Sequence, residues 1–517
     1  MTKERLMRAL SSLLAVCLLF VASAAEAAVK PHALFTEHMV LQQGRDVFVW
    51  GMADPGERVT VRIQNQEVAA TAGADGKWQV RLKPLMPGGP FELTIAGTNS
   101  ITLKDVLVGE VWIASGQSNM QWPVNRSADP EKTIAESAHP QIRLFTVPRI
   151  ATKDPQDNVD AAWQVCGPDT TPEFSAVAYF FGRALQDKLK VPVGLINTSY
   201  GGTPAEAWTT RQKMVATPDL QAMVTADDQA MAAYPEAQKK YEEELKAWEA
   251  AAKAAKDAGQ KEPAKPQPPV GPGHPHRPCG LYNAMIHPLL PYAIRGAIWY
   301  QGESNAGRAY QYRTLFPAMI TSWREAWGQD EFPFLFVQLA PFMKIVDQPG
   351  DSAWAELREA QLLTTTNTPN TAMAVITDVG DEADIHPQKK QPVGERLALA
   401  ARALAYGEKI EHSGPTFDQQ KVDGGKIVLS FKHVGDGLEA KDGALKGFAI
   451  AGSDMVFKNA QAEIQGETVI VSSPEVTQPV AVRYGWANFP LGNLWNKNGL
   501  PASPFRTDDF PLTTKPK

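Results

Sequence analysis

Ser118 stands in the turn Gly116-Gln117-Ser118-Asn119-Met120, directly after the apolar run Val106 to Ala114. A hydroxyl held at the carboxyl end of a strand lies where parallel α/β sheets place their chemistry. It becomes a nucleophile when a histidine can take its proton. The chain offers His386, in Asp384-Ile385-His386-Pro387, near the end of a second α/β half. Acyl transfer needs these two groups, an acid that orients the imidazole, and donors for the oxyanion. Asp384 is the candidate acid, with Asp381 and Glu382 as close rivals. Candidate donors are the backbone N–H groups of Ser118 and of Gly201 or Gly202, joined by a side-chain amide from Gln301 or Asn305. A serine after a strand is more often a plain turn residue, and an acid beside a loop histidine also serves to cap a helix. What favours the chemical reading is that several polar or Gly-rich turns follow successive strands. The elbow Gly-x-Ser-x-Gly of α/β-hydrolases is excluded, because Met120 stands two residues after Ser118.

These residues need a scaffold, and the hydropathy pattern supplies one. From about residue 105 to 407, apolar strand-like runs (Val106 to Ala114, Ile142 to Val147, Val193 to Thr198, Ile294 to Gln301, Phe334 to Leu339, Ala372 to Thr377) alternate with amphipathic helical stretches. The helices are Phe174 to Leu189, Tyr310 to Trp327 and Gln391 to Tyr406, the last opened by Pro392 and closed by Gly407. Such alternation predicts a parallel sheet covered by helices on both sides. Ser118, Ser199 to Thr203, Gln301 to Asn305 and His386 all fall after strands, so they converge on one rim.

On either side the pattern is β. Residues 28 to 104 carry period-two runs (Val59, Val61, Ile63; Trp78, Val80, Leu82) broken by turns such as Asp54-Pro55-Gly56, the sign of a small sandwich. Residues 408 to 517 show the same signal at Ile427, Leu429 and Phe431, then an aromatic tail read as a wrap over another surface. Trp486, Phe489 and Trp495 in that tail suit either a sugar platform or a core. An insertion at 211 to 280 interrupts the α/β rhythm. Its helix is predicted from Pro235 to Ala258, packed as a hairpin arm, and Glu262 to Pro278 returns the chain as a stiff proline-rich connector.

Composition excludes several function classes. A formal net charge of −6 with no basic run interleaved with aromatics argues against nucleic acid as a partner. Residues 1 to 27 have the three-part layout of a secretory signal peptide: Lys3, Arg5 and Arg8, then apolar residues, then Ala25-Glu26-Ala27. The expectation is export to a bacterial periplasm or medium without a stable membrane anchor; Cys17, preceded by Val16, fits a lipidation site poorly. Cys166 and Cys279 then remain, in a compartment where two cysteines can bridge, and the sequence leaves their pairing open. His274, His276 and Cys279 lack a fourth ligand at any usual spacing, so no metal site and no cofactor is expected.

Three strings, Gly116-Gln117-Ser118-Asn119-Met120, Trp299-Tyr300-Gln301-Gly302-Glu303-Ser304 and Asp384-Ile385-His386-Pro387, resemble the motif set of the sialate O-acetylesterase family within the wider SGNH hydrolases. The likeness runs from Met39-Val40-Leu41-Gln42 to Pro504-Phe505-Arg506-Thr507-Asp508, nearly the whole chain after the leader. It implies a flavodoxin-like three-layer SGNH domain flanked by the β regions, and a metal-independent serine esterase acting on an acetylated sugar or glycan. By position, Ser118 matches the nucleophile and His386 the base. The wider pattern sets the acid three residues before the histidine, where this chain has Ala383, while Asp384 stands two before. Its Gly-x-Asn-Asp block appears as Gly302-Glu303-Ser304-Asn305, so the amide donor is Asn305 or the upstream Gln301, with Gln301 favoured. Gln117, Glu303 and Arg308 are candidate substrate contacts, Arg308 for a sialic acid carboxylate; Glu303 also suits a bond to the nucleophile loop. Two alternatives stand beside this reading: an esterase for acetylated xylan, xyloglucan or another glycan, and a non-catalytic glycan-binding protein.

Overall fold

The structure, a computed structural model, describes residues 29–329 and 331–516. The expected signal peptide and Cys17 lie outside the described residues. Seven strands make the sheet that carries the site: β1 (Ser100–Gly116), β2 (His139–Thr146), β3 (Gln164–Cys166), β4 (Val193–Asn197), β5 (Gly296–Tyr300), β6 (Phe334–Val337) and β7 (Thr371–Ala374). They lie in the order β3-β2-β4-β1-β5-β6-β7. All neighbours are parallel except the edge pair β3 and β2. The fold is therefore mixed α/β, a central mixed sheet with further β-sheets around it.

Side chains leave a strand on alternate faces, and here the two faces feed two cores. Trp299, Phe334 and Phe336 pack with Tyr312, Phe316 and Trp323 of helix α2 (Ala309–Trp327). Ile298, Tyr300, Leu335 and Val337 point the other way, onto Val177 and Phe181 of helix α1 (Ala176–Leu189) and Leu397 of helix α4 (Gln391–Leu404). Helix α3 (Ala353–Asn367) lies beside α2, its first turn capped by the Ser352 hydroxyl. Each large apolar side chain buried in these layers contributes about 1.5–3 kcal/mol. Helix α4 stops two residues short of the predicted Tyr406, whose hydroxyl instead donates to the buried Glu110 of β1.

β1 is unusually long because it serves two sheets. Its first half pairs with Gly88–Ala96 and Val40–Gln42, its second with β4 and β5. Strands Arg58–Ile63 and Gln66–Thr71 extend the first half, and a separate three-stranded sheet joins Lys30–Pro31, Val47–Met52 and Lys77–Leu82. At the other end of the chain, a four-stranded sheet built on Lys426–Lys432 and another built on Ala481–Tyr484 bury Ile427, Leu429, Val471, Ile450 and Val482 between them. Trp486 packs outside this core, with Ala355 of α3 and Leu512; it and Trp495 are buried, each beneath cationic side chains, Arg483 and Arg506 on the first, Lys441 and Arg396 on the second.

The insertion differs from its predicted form. One helix, α5 (Pro218–Asp257), runs 40 residues, about 60 Å at 1.5 Å per residue. Pro235 lies inside it rather than at its start. Proline is a starting signal only where the pattern before it fails; here the half-buried stripe of Met231, Tyr234, Tyr241, Leu245 and Trp248 continues upstream to the buried Val224 and Leu220. The proline-rich segment returns along this stripe. Trp248 Nε1 donates to Pro263 O, Gly271 sits against the Tyr234 ring, and Arg277 grips Asp227 with two bonds of 3.0 and 2.8 Å.

Cys166 and Cys279 are both free and buried, so no disulfide joins them. The first contacts Thr171 and the second Met214, and burial pushes their thiols up to about 11 and about 12. Among the described residues no helix is long and apolar enough to cross a membrane.

Candidate active site

β1 ends at Gly116, with φ +136°, and only glycine fits: a Cβ there would lie 2.1 Å from Tyr300 O on β5. The chain then turns through Gln117 into a one-turn helix, Ser118–Gln121, in which Met120 and Gln121 N–H donate back to Gln117 O. Ser118, at the first position, is half-buried while its neighbours Gln117 and Asn119 are buried, so the hydroxyl alone is offered outward. Its backbone N–H has no acceptor within so short a helix.

His386 comes to it across 268 positions of sequence: Nε2 lies 2.9 Å from Ser118 Oγ. Nδ1 lies 3.1 Å from Asp384 Oδ1, which also accepts the His386 backbone N–H at 2.8 Å. With the Nδ1 proton given to Asp384, Nε2 is left to accept from the serine hydroxyl. Of the rival acids, Asp381 folds the loop by accepting the N–H groups of Ala383 and Asp384, and Glu382 accepts Ile345 N–H. The Trp122 ring stacks on the imidazole at 4.8 Å. Burial lowers the pKa of His386 below the usual imidazole value; Asp384 opposes this and Lys390 adds to it.

The remaining candidates divide. Gly201 packs against Ser118, but its N–H donates to Gln121 Oε1 at 2.7 Å. Gly202, with φ +74°, keeps an N–H that no bond among the described residues claims, while its carbonyl accepts from Ser304 Oγ. Gln301 is wholly buried and does not reach the cleft: its amide donates to Asn305 Oδ1 and Thr203 O and accepts from Tyr312. Asn305 is equally engaged, with Ala205 N–H and Glu206. The reason is directional: β5 ends pointing these amides into the layer beneath the rim, where they satisfy one another. Arg308 is held by Glu206 and Gln311 instead of standing free for a carboxylate. Glu303 accepts from Asn119 Nδ2 at 2.6 Å, a bond to the nucleophile turn. Gln117 is buried under Ser304, whose N–H approaches its Oε1 at 3.5 Å.

Four neighbours of the site are not assigned to it by the sequence. Gln121 and Trp122 lie in the same turn as Ser118, one holding Gly201 and the other stacking on His386. Lys390, four residues after His386, is buried and donates to Asn119 Oδ1. His276, in the returning insertion, brings Nε2 to 4.0 Å from where a Cβ of Gly202 would lie. His274 and His276 meet edge to face.

Comparison with known proteins places this chain in a class. The family model described as carbohydrate esterase, sialic acid-specific acetylesterase matches residues 108–256 and 276–403. The sialate O-acetylesterase of Mus musculus is 33% identical over 90% of this chain and 92% of its own, and that of Homo sapiens 32% over 90% of each. A carbohydrate acetylesterase from Xanthomonas citri superposes with a TM-score of 0.79 at 38% identity, over 93% of this chain and 100% of its own. The class is that of carboxylic ester hydrolases. Within it, the chain belongs to the carbohydrate esterase, sialic acid-specific acetylesterase family.

Proposed function

We propose that this carbohydrate O-acetylesterase works through Ser118, His386 and Asp384, and that its substrate is an O-acetylated sialic acid. The observation that carries the mechanism is the bonded line from Ser118 Oγ through His386 to Asp384. His386 Nε2 takes the hydroxyl proton as Oγ attacks the acetyl carbonyl; the tetrahedral oxyanion is met by the N–H groups of Ser118 and Gly202. Collapse releases the sugar hydroxyl, which receives the proton from His386, and leaves an acetyl group on Ser118. Water, deprotonated by the same imidazole, attacks the acetyl-enzyme and frees acetate. Asp384 holds the tautomer and offsets the charge on the imidazolium.

The sialate reading follows the names of the mammalian relatives. One observation favours a second reading, a neutral acetylated glycan such as xylan: Arg308, the arginine offered to a carboxylate, is already paired with Glu206. The bacterial relative named for carbohydrate at large agrees with it. Acetate release from O-acetyl sialic acid and from acetylated xylan decides between them; a purely sugar-binding role predicts binding with no acetate release from any ester. For the mechanism, Ser118→Ala should lower turnover of an activated acetate ester by at least about 10³-fold. Undiminished turnover would remove the proposal.

The order β4-β1-β5-β6-β7, with helices on two faces, supports the flavodoxin-like three-layer SGNH reading for residues 105–407, with the insertion 211–280 as its arm. Residues 28–104 and 408–517 are then its β-rich flanks, and 1–27 the leader of an exported protein.

A further inference from the structure

Lys390 is 1% exposed, yet among the described residues it makes no ion pair at contact distance. Its ammonium donates to Asn119 Oδ1 and lies 5.4 Å from the Tyr300 ring and 5.8 Å from that of Trp122. A buried lysine is costly, and burial pulls this one down to about 7 although Glu303 and Asp384 oppose the fall. The far end of the same amide explains what the lysine holds. Asn119 Nδ2 donates to Glu303 Oε1 at 2.6 Å and to Ile385 O at 3.0 Å. Asn119 follows Ser118, Ile385 precedes His386, and Glu303 opens the turn after β5. One side chain thus joins three loops that nothing in the sequence holds together, and Lys390 fixes which way it faces.

We propose that Lys390 is a positioning residue of the esterase site, acting through Asn119 to hold the Ser118 and His386 loops in register and through its charge to keep the imidazole a base. The proposal rests on the assignment of Ser118 and His386 above. Around His386 the charged groups are few. Asp384, on its own loop, favours the protonated ring; Lys390, from the start of α4, disfavours it. Glu303 lies beyond Asn119 and acts on Lys390, and Asp381 is turned to the N–H groups of its own loop. Trp122, stacked on the ring, is neutral. Removing the ammonium therefore raises the pKa of His386, and the base is lost at a higher pH as the medium is acidified.

The test is kinetic, on the full-length protein with an activated acetate ester. Lys390→Met should lower kcat about tenfold with KM little changed, as expected when only the attack geometry suffers. The acid limb of kcat/KM should move to higher pH. Lys390→Gln keeps a donor for Asn119 without the charge; it should recover most of kcat while keeping the displaced limb. Asn119→Ala, which cuts the strut and leaves the charge, should lower kcat with the limb in place. Cooperative melting of each variant confirms folding, and Lys390→Gln carries the test if Lys390→Met does not fold. Wild-type kcat in both lysine variants, or a limb that stays put in Lys390→Gln, overturns the proposal. Failure of the Ser118 assignment is read separately, from Ser118→Ala.

Discussion

At the scale of single residues, the site depends on close approach as much as on chemistry. Gly201 is the clearest case: a Cβ there would stand 3.3 Å from Ser118 Cβ and 3.2 Å from Gln121 Oε1. Those distances require the neighbours to shift by tenths of an ångström, and the neighbour is the nucleophile. Gly201→Ala should therefore lower kcat by about tenfold while the melting temperature holds, since misplacement of a reacting atom acts on the barrier and not on the core. A variant that keeps kcat would show that the Ser118 turn adjusts freely. The same scale shows what a sequence can carry. Ser118 and His386, which the fold brings within a hydrogen bond of each other, stand out in the sequence because short motifs fix residue type at the ends of strands, whereas Asp384 is separable from Asp381 and Glu382 only by bonds that a sequence does not contain. The candidate oxyanion donors are not distinguishable in the sequence. Gln301, Asn305 and Gly201 sit in turns that look alike in one dimension, and the direction in which an amide or N–H points is decided by packing: Tyr312 and Glu206 claim the amides, Gln121 the N–H.

At the scale of elements, periodicity found all six site-bearing strands and helices α1, α2 and α4 to within a few residues at their ends, because each buries one face or both on the sheet. It failed on α5. That helix buries only Leu220 and Val224 fully, so most of it answers to no core, and a proline within it reads as an end. What replaces a core is its own return strand, through Trp248 to Pro263 and Tyr234 to Gly271. The family model leaves 257–275 unmatched, the outer part of this return. An arm that mostly contacts itself adds little to global stability. Replacing residues 238–267 with a short Gly-Ser turn should shift the melting temperature by no more than about 2 °C and leave turnover of a small acetate ester within about twofold. Turnover of a polymeric substrate, compared in the same variant, then reports whether the arm helps to seat long chains. A large loss on the small ester would mean instead that the arm orders the rim, by way of His276 beside Gly202.

For the molecule as a whole, the question is how the C-terminal sheets bear on a site made by the central one, and Arg358 gives a physical answer. It is fully buried on α3, and burial lowers its pKa to about 9. Among the described residues no carboxylate pairs with it; its guanidinium donates to four carbonyls, Leu339 and Ala340 after β6, and Ala487 and Asn488 in the C-terminal tail. Asn488 O in turn accepts Phe342 N–H, and Phe342 pairs as a bridge with Asp381, the residue that folds the His386 loop. A line of contacts thus runs from the tail through Arg358 to the base. Arg358→Met keeps the stem's apolar packing and strands the carbonyls of Leu339 and Ala487, while Ala340 O keeps Trp354 Nε1 and Asn488 O keeps Phe342 N–H. Each buried group left without a partner costs about 1–3 kcal/mol, partly offset by relief of a buried charge, so a net loss of about 3 kcal/mol is expected. The expected outcome is a lower melting temperature together with a fall in kcat, because the clamp and the loop share Phe342. Melting curves and kcat measured on the one variant check it. Lost stability with kcat intact would mean that Asp381 holds the His386 loop unaided, and the C-terminal sheets would then bear on folding alone.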